Sequence, residues 1–381
     1  MMKSIGVRNR MVNETKEKWY DYWWFCLREV PNRKRIFLGE RGLTGKDFFY
    51  IEEILKKINT EKWLTEDEIK NIKESRKTKN WKEEYERLVE QGIRIVTIFE
   101  QEYPKRLKER KGMPFGLMVK GKLPKEEVLS VAIVGARNCS HYGEVMTLRF
   151  AEKLAECGVQ IISGMARGVD GAAHRGALNV NGDTFAVLGC GVDVCYPREH
   201  LGLYRDLQMR GGLLSEYSPG TVPYASNFPA RNRILSGLAD VVLVMEAKEK
   251  SGSLITADMA LEQGKDVYAL PGNIDSCLSR GCHQLIRQGA GILIDEEDLL
   301  EELHLYAAQK QIVLQEEKNN CCLLKEREKI LYHYLDYIPK SREELLQKTG
   351  FLPQELAGIL VSLVLRGIVK EVSKDYFVRN R

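Results

Sequence analysis

From Val131 onward, short apolar runs alternate with amphipathic helical stretches at regular spacing. Few architectures accommodate that texture. Strands are expected over residues 131–134, 159–162, 184–188, 241–245, 267–270 and 291–294. Helices are expected between most of them, among them 144–156 and 253–263. Strands that alternate with helices imply an α/β fold with a parallel sheet covered on both faces. Ligands in such sheets bind beyond the carboxyl ends of the strands. The glycine-rich turns of this chain fall there: Gly135, Gly164, Gly189, Gly191 and Gly272.

The flanks read differently. The first 90 residues have apolar residues at helical spacing among many Lys and Glu, over 19–27, 48–58 and 66–89. Short strands are expected at 93–99 and 115–119, closed by a turn at Gly121 to Pro124. Beyond Leu303, residues 306–320 are polar and Gln-rich, as a linker would be. Helices over 325–337, 341–349 and 353–366 are followed by two β-prone pieces, 368–372 and 376–378. Three helices and a terminal hairpin describe a winged helix. The expected organisation is a helical domain at 1–90, an α/β domain at 91–303, a linker at 304–324 and a winged-helix domain at 325–381.

Composition removes several classes. Hydrophobic content of 44% supports real cores and excludes a disordered chain. The apolar runs are short, and Asp21 interrupts the aromatic cluster at 19–27, so no membrane span is expected. The first 30 residues lack an unbroken apolar stretch of signal-peptide type, so a cytoplasmic protein is expected. Nine cysteines are scattered without a CxxC pair, and the spacings Cys190/Cys195 and Cys277/Cys282 fit no zinc pattern. They read as reduced thiols, with no metal site. The net charge is +4, from 58 basic and 54 acidic side chains. Residues 1–125 carry about 30 basic against about 20 acidic residues. That excess suits a polyanion partner or a solvated charged face equally well.

Four loops carry groups suited to anions. In the first, Val131 to Gly143, a buried strand runs into Gly135 and a helix starts after Tyr142. Gly135 and Ala136 make the turn, Arg137 supplies a forked donor, Ser140 a hydroxyl, and the helix start near Gly143 supplies free N–H groups. The dinucleotide spacing GxGxxG is absent. The second, Ile161 to Leu178, turns at Ser163-Gly164 into a helix carrying Asp170 and His174 on one face. These two are expected to be structural, because no nucleophile motif accompanies them. The third places Arg231, Asn232 and Arg233 just before a helix. The fourth offers Ser251, Gly252 and Ser253 at another helix start. A mononucleotide would need only one or two such loops. A row of them along one strand-end face fits a phosphate chain, and so a single-stranded nucleic acid in an electrostatic groove.

The stretches GARNCSHYG, SGMARGVDGAAHRGAL, FPARNR, SGSLITADMALEQGKDVYALPG and SRGCHQLIRQGA occur in that order. Together, from Ile93 to Asp295 and including YPKRL at Tyr103 to Leu107, they resemble the DNA-processing protein A (DprA/Smf) family. The resemblance implies an extended Rossmann-like, doubly wound domain that binds single-stranded DNA and dimerises through that domain. It implies a partner, the RecA recombinase, loaded onto incoming strands during natural transformation. It also implies a phosphate groove lined by Arg137, Ser140, the Ser163-Gly164 turn, Arg231, Asn232, Arg233 and Ser251 to Ser253. Residues 15–75 stand where the family has a SAM-like or helix-hairpin-helix domain. Val30 to Arg35 lack the glycines by which such hairpins present N–H groups, so a hairpin mode of DNA binding is not expected there.

No catalytic residue and no cofactor is expected. No GxxxxGK[ST] is present, so loading would be passive binding and handover. The alternative is a nucleotide phosphoribohydrolase of the lysine-decarboxylase-like group. Its PGGxGTxxE motif is replaced here by Pro271-Gly272-Asn273-Ile274-Asp275, without the catalytic Glu.

Overall fold

The computed structural model describes residues 17–53, 63–108, 112–304, 325–335, 339–366 and 368–379. The chain divides into two compact units, Met1–Glu302 and Leu303–Arg381.

The first unit is built on a nine-stranded sheet. Its strands are β1 (Ile93–Thr97), β2 (Gly116–Gly121), β3 (Ser130–Val134), β4 (Gln160–Ser163), β5 (Thr184–Val187), β6 (Gly212–Ser215), β7 (Val241–Val244), β8 (Asp266–Ala269) and β9 (Gly291–Ile292). They lie in the order β1-β2-β6-β5-β4-β3-β7-β8-β9. All pairs from β6 across to β9 are parallel, and only β1–β2 and β2–β6 are antiparallel. Every residue of β3 to β7 is buried, as expected of strands covered on both faces.

The six expected parallel strands are present, and β6 joins them. It escapes a pattern search because it opens on Gly212, directly after Gly211, and holds only two apolar residues, Leu213 and Leu214. Both glycines are required by close approach. A Cβ on Gly211 would sit 1.7 Å from the Thr184 carbonyl, and one on Gly212 would sit 2.0 Å from that of Lys122.

The N-terminal helices are α1 (residues 17–26), α2 (Asn32–Gly39), α3 (Gly45–Phe49), α4 (Glu66–Ser75) and α5 (Trp81–Glu90). Capping boxes at Thr44/Asp47 and Thr65/Glu68 start α3 and α4. The expected helical stretch 66–89 is two helices, because Asn80 caps a fresh start by accepting from the Glu83 N–H. Part of the expected 48–58 helix lies outside the described residues. Trp24 stacks on Phe48 with ring centroids 4.2 Å apart. One buried cluster runs from these rings through Ile95 and Leu117 to Val242 and Leu285, so helices and sheet share a core.

Four helices cover the sheet and form the walls used below: α6 (His141–Glu156), α7 (Val169–Asn179), α8 (Leu201–Arg210) and α9 (Asn227–Leu238). They are followed by α10 (Gly252–Glu262), α11 (Arg280–Arg287) and α12 (Glu296–Glu302). The FPARNR arginines lie inside α9, not ahead of it. Pro229 is tolerated in the first turn, where an N–H has no helical acceptor.

The second unit contains α13 (Glu326–Tyr334), β10 (Lys340–Ser341), α14 (Arg342–Thr349), α15 (Pro353–Leu365), β11 (Val369–Ser373) and β12 (Tyr376–Arg379). The sheet order is β10-β12-β11. Leu331, Leu345, Leu356, Leu363 and Phe377 form its own core. Gly350 ends α14 in the left-handed conformation, φ 66°. The expected linker at 304–324 lies, apart from His304, outside the described residues.

Candidate nucleic-acid interface

Strand order reverses at β3. The chain proceeds from β3 to β4, β5 and β6 on one side, then returns to β7, β8 and β9 on the other. A crevice opens at such a switch point, beyond the carboxyl ends of the strands. Here it is a cleft of about 350 Å³. The turn after β3 supplies Gly135 and Arg137, α7 supplies Asp170, α9 supplies Phe228, Arg231 and Asn232, and the start of α10 supplies Ser251, Gly252 and Ser253.

Arg231 is the floor. It is 4% exposed, and it donates through Nη1 to the Val187 carbonyl. Gly164 makes room for it, since a Cβ there would lie 2.1 Å from Arg231 Nη1. Its Nε has no partner. Burial pulls this guanidinium down, opposed by the nearby Asp170 carboxylate. Burial in turn pushes Asp170 up, opposed by Arg231. Asp170 is also held by the Ala166 N–H at 3.3 Å. Asn232 reaches across to α10 and donates to the Gly252 carbonyl at 3.2 Å.

Arg137 is the mouth. Its guanidinium carbon lies 5.0 Å from the Phe228 ring centroid, within cation–π reach. The side chain is exposed, and among the described residues no carboxylate lies within ion-pair distance of it. Facing it is the start of α10. The Ser251 hydroxyl caps that helix by accepting from the Ser253 N–H at 3.4 Å, and it bonds the Ser253 hydroxyl at 2.7 Å. Gly252 is exposed, and a Cβ there would meet open space. Lys250 lines the rim. Three cations therefore surround one carboxylate, Asp170, beside the positive end of an 11-residue helix.

Other expected groups are committed elsewhere. Ser140 caps α6, but its N–H and hydroxyl both donate to Glu246, at 2.8 and 2.6 Å. Glu246 is 4% exposed, and its carboxylate occupies the anion seat that the sequence assigned to phosphate. Gly143 is part of that packing, since a Cβ there would lie 2.5 Å from the Glu246 carboxylate. The Ala136 carbonyl accepts from the Val169 N–H at 3.2 Å, and Gly135 is required by Val169, 2.7 Å from where its Cβ would be. Ser163 is fully buried and donates to the Ile133 carbonyl at 2.7 Å, tying β4 to β3. Arg233 points away from the cleft and pairs with Glu216 at 2.5 Å. The cleft thus gathers Gly135, Arg137, Arg231, Asn232 and Ser251 to Ser253, and not Ser140, Gly143, Ser163 or Arg233.

Sequence reasoning missed Phe228, Lys250 and Glu246. Phe228 opens the quoted FPARNR motif without being assigned a role there, and Lys250 directly precedes SGS. Glu246 carries no local signal. His174 is fully buried on Thr184 at 2.7 Å, and burial lowers its pKa to about 3, as suits a structural histidine. Cys190 is buried, and burial pushes its thiol up to about 12. Among the described residues no cluster could hold a metal ion, and no single helix is long and apolar enough to cross a membrane.

Comparison with known proteins follows the same lines. The family profile of DNA recombination-mediator protein A matches residues 94–304. Protein Smf of Escherichia coli is 48% identical over 202 residues, which cover 53% of this chain and 54% of that protein. DNA processing protein DprA of Streptococcus pneumoniae is 37% identical over 281 residues, 72% of this chain and 99% of that one. The crystal structure of that DprA superposes with a TM-score of 0.54 over 72% of this chain and 98% of its own. A Helicobacter pylori DprA, solved for its single-stranded DNA binding mode, is 32% identical with a TM-score of 0.50, over 55% of this chain and 95% of its own. With a family profile that spans more than half the chain and a relative matched over nearly its whole length, the chain belongs to the DNA recombination-mediator protein A family.

Proposed function

We propose that this chain binds single-stranded DNA in the cleft at the β3/β7 switch point and delivers it to a RecA-type recombinase, in the cytoplasm, during natural transformation and recombination. The observation that carries the reading is Arg137, exposed, unpaired and stacked on Phe228 opposite the start of α10. A cation beside an aromatic ring, facing the positive end of a helix whose first residue, Gly252, is exposed, suits phosphate and base together. Family membership and the Helicobacter pylori DprA that binds single strands support it. The contacts are to backbone and base faces, so sequence preference is weak.

The test is anisotropy of a labelled single strand and its duplex across a salt series. Tighter, salt-steep binding of the single strand, weakened in Arg137→Ala, supports the reading. Equal binding of both forms, or a variant that binds as wild type, refutes it. Recombinase filament growth on protein-coated strands tests the handover: no stimulation removes that step.

We take the first unit as a SAM-like helical segment on an extended Rossmann-like domain. Arg35, in the segment Val30 to Arg35, is 4% exposed and donates to the Phe25 carbonyl, which removes it from any phosphate. We take the second unit as a winged helix. Its α15 contains no Lys or Arg and exposes Leu365 and Val361, which favours protein contact over groove reading. Exposed Ile292 and Ile294, at and just after the two-residue edge strand β9, support a homodimer through the first unit. The hydrolase alternative lacks support in the cleft, where the one lining carboxylate, Asp170, lies against Arg231.

A further inference from the structure

Next to the cleft is a second depression of about 390 Å³. It lies between the N-terminal helices and the segment that joins β6 to α9. Arg28, Lys79, Trp81, Thr221, Val222 and Tyr224 are among its walls, and no Asp or Glu lines it among the described residues. Arg28 is exposed, and its Nη2 donates to the Thr221 hydroxyl at 2.9 Å. No carboxylate among the described residues lies within ion-pair distance of Arg28. Lys79 rests 4.1 Å from the Trp81 ring centroid and pairs with Glu84 at 2.6 Å, so its charge is partly met. Tyr224 is 58% exposed and stacks on no other ring among the described residues. A tight turn holds it: its N–H donates to the Val222 carbonyl and its carbonyl accepts from the Asn227 N–H, both at 3.0 Å.

The two depressions are continuous along the chain. Tyr224 lines this groove, and the next residue, Ala225, lines the cleft. Consecutive Cα atoms are about 3.8 Å apart, so the two depressions adjoin at Tyr224 and Ala225. A strand that leaves the cleft over Ala225 meets an exposed aromatic face, then an exposed guanidinium that no carboxylate among the described residues neutralises. Those are the two groups that hold single-stranded nucleic acid without regard to sequence. The basic excess of the first 125 residues, about 30 against about 20, has the sign such a path requires.

We propose that this groove is an extension of the strand path, in which Tyr224 stacks a base and Arg28 takes a phosphate beyond the cleft. The inference rests on the reading of the cleft as a single-strand site. It assigns to the N-terminal helices a share in DNA binding that needs no helix-hairpin-helix.

The experiment is a set of anisotropy titrations with oligothymidylates of graded length, on the full chain. The proteins are wild type, Arg28→Ala, Tyr224→Ala and Tyr224→Phe. Both side chains are exposed, so thermal midpoints are expected to be unchanged, and melting curves check this. Wild-type affinity is expected to rise with length past the size that fills the cleft. Tyr224→Ala is expected to remove about 10-fold of affinity from long oligomers and none from short ones. Tyr224→Phe is expected to keep it. Arg28→Ala is expected to lower the salt slope by about 0.7 on long oligomers only, as one lost phosphate contact would. If short oligomers bind but the gain with length survives both substitutions, the extended path is wrong and the cleft stands. A loss that is equal on short and long oligomers refutes it too, since the groups would then act within the cleft. If wild type binds no single strand at all, the cleft reading falls and takes this one with it.

Discussion

Replacement of Glu246 tests the claim that an internal carboxylate fills the anion seat at the start of α6. Glu246 is 4% exposed and accepts from the Ser140 N–H and hydroxyl at 2.8 and 2.6 Å. Hydrogen bonds to a charged group are worth about 1.5–3 kcal/mol each. A partly buried carboxylate at a helix start adds up to about 2 kcal/mol. Against this stands the desolvation of the buried charge, which Glu246→Ala relieves. The net expected loss is about 3 kcal/mol. Gly143 supplies the sharper reading. In an open helix, Gly→Ala stabilises by about 1 kcal/mol. Here the new Cβ would lie 2.5 Å from the carboxylate, so Gly143→Ala is expected to destabilise, by about 1–3 kcal/mol. In the Glu246→Ala background the clash is gone and the sign reverses. The double-mutant cycle should therefore show a coupling of about 2–4 kcal/mol. Urea unfolding followed by tryptophan fluorescence is the assay, because all five tryptophans, Trp19 to Trp81, lie in the first unit. A stabilising Gly143→Ala in the wild-type background, or an equal cost in both backgrounds, refutes the argument. Inorganic phosphate should also raise the midpoint of Glu246→Ala more than that of wild type, by mass action at the vacated seat.

The two arginines of α9 should separate from Arg137. Arg137→Ala is expected to weaken single-strand binding and lower the salt slope by about 0.7, with no change in the urea midpoint. Arg233→Ala, which strands the half-buried Glu216, is expected to cost about 1–3 kcal/mol in the same urea assay while the slope is unchanged. Gly164→Ala is expected to displace the Arg231 guanidinium from the Val187 carbonyl, and to lower both stability and affinity; wild-type values for both would show that the floor is not held by that glycine. His174 sets a pH dependence. Its pKa is about 3 in the fold and about 6.5 when unfolded, so the unfolded chain binds a proton that the fold excludes. The stability from this group is complete above pH 6.5 and falls as pH drops, by roughly 3 kcal/mol at pH 4. His174→Gln should flatten that part of the stability profile, and parallel profiles for the two proteins would refute the assignment.

Strands β3, β4 and β5 were legible because each is a buried apolar run with a glycine within two residues of its end, and β7 because it is an unbroken apolar run; burial on both faces writes itself into composition, whereas the short β6 left no such mark. What the cleft residues do was legible only in part, for a geometrical reason. Arg231 and Arg233 look equivalent if they precede a helix, and both then qualify as phosphate ligands. Inside α9 they are two residues apart, which turns them about 200° from one another. One must face the cleft if the other faces away, and the structure has Arg231 on the floor and Arg233 on Glu216. The decisive element was therefore the start of α9, set by residues ahead of Pro229 that the motif alone does not mark as helical. Ser140 fails for a different reason. Its role as a cap is local and readable, but the acceptor of its hydroxyl is Glu246, 106 residues away, brought there by the pairing of β3 with β7. A helix start of the kind that takes phosphate in other sheets of this class is closed here by the chain's own carboxylate. The burden of anion binding then falls on α10, whose start carries Gly252 in open space and stands opposite the one arginine of the cleft that is both exposed and unpaired.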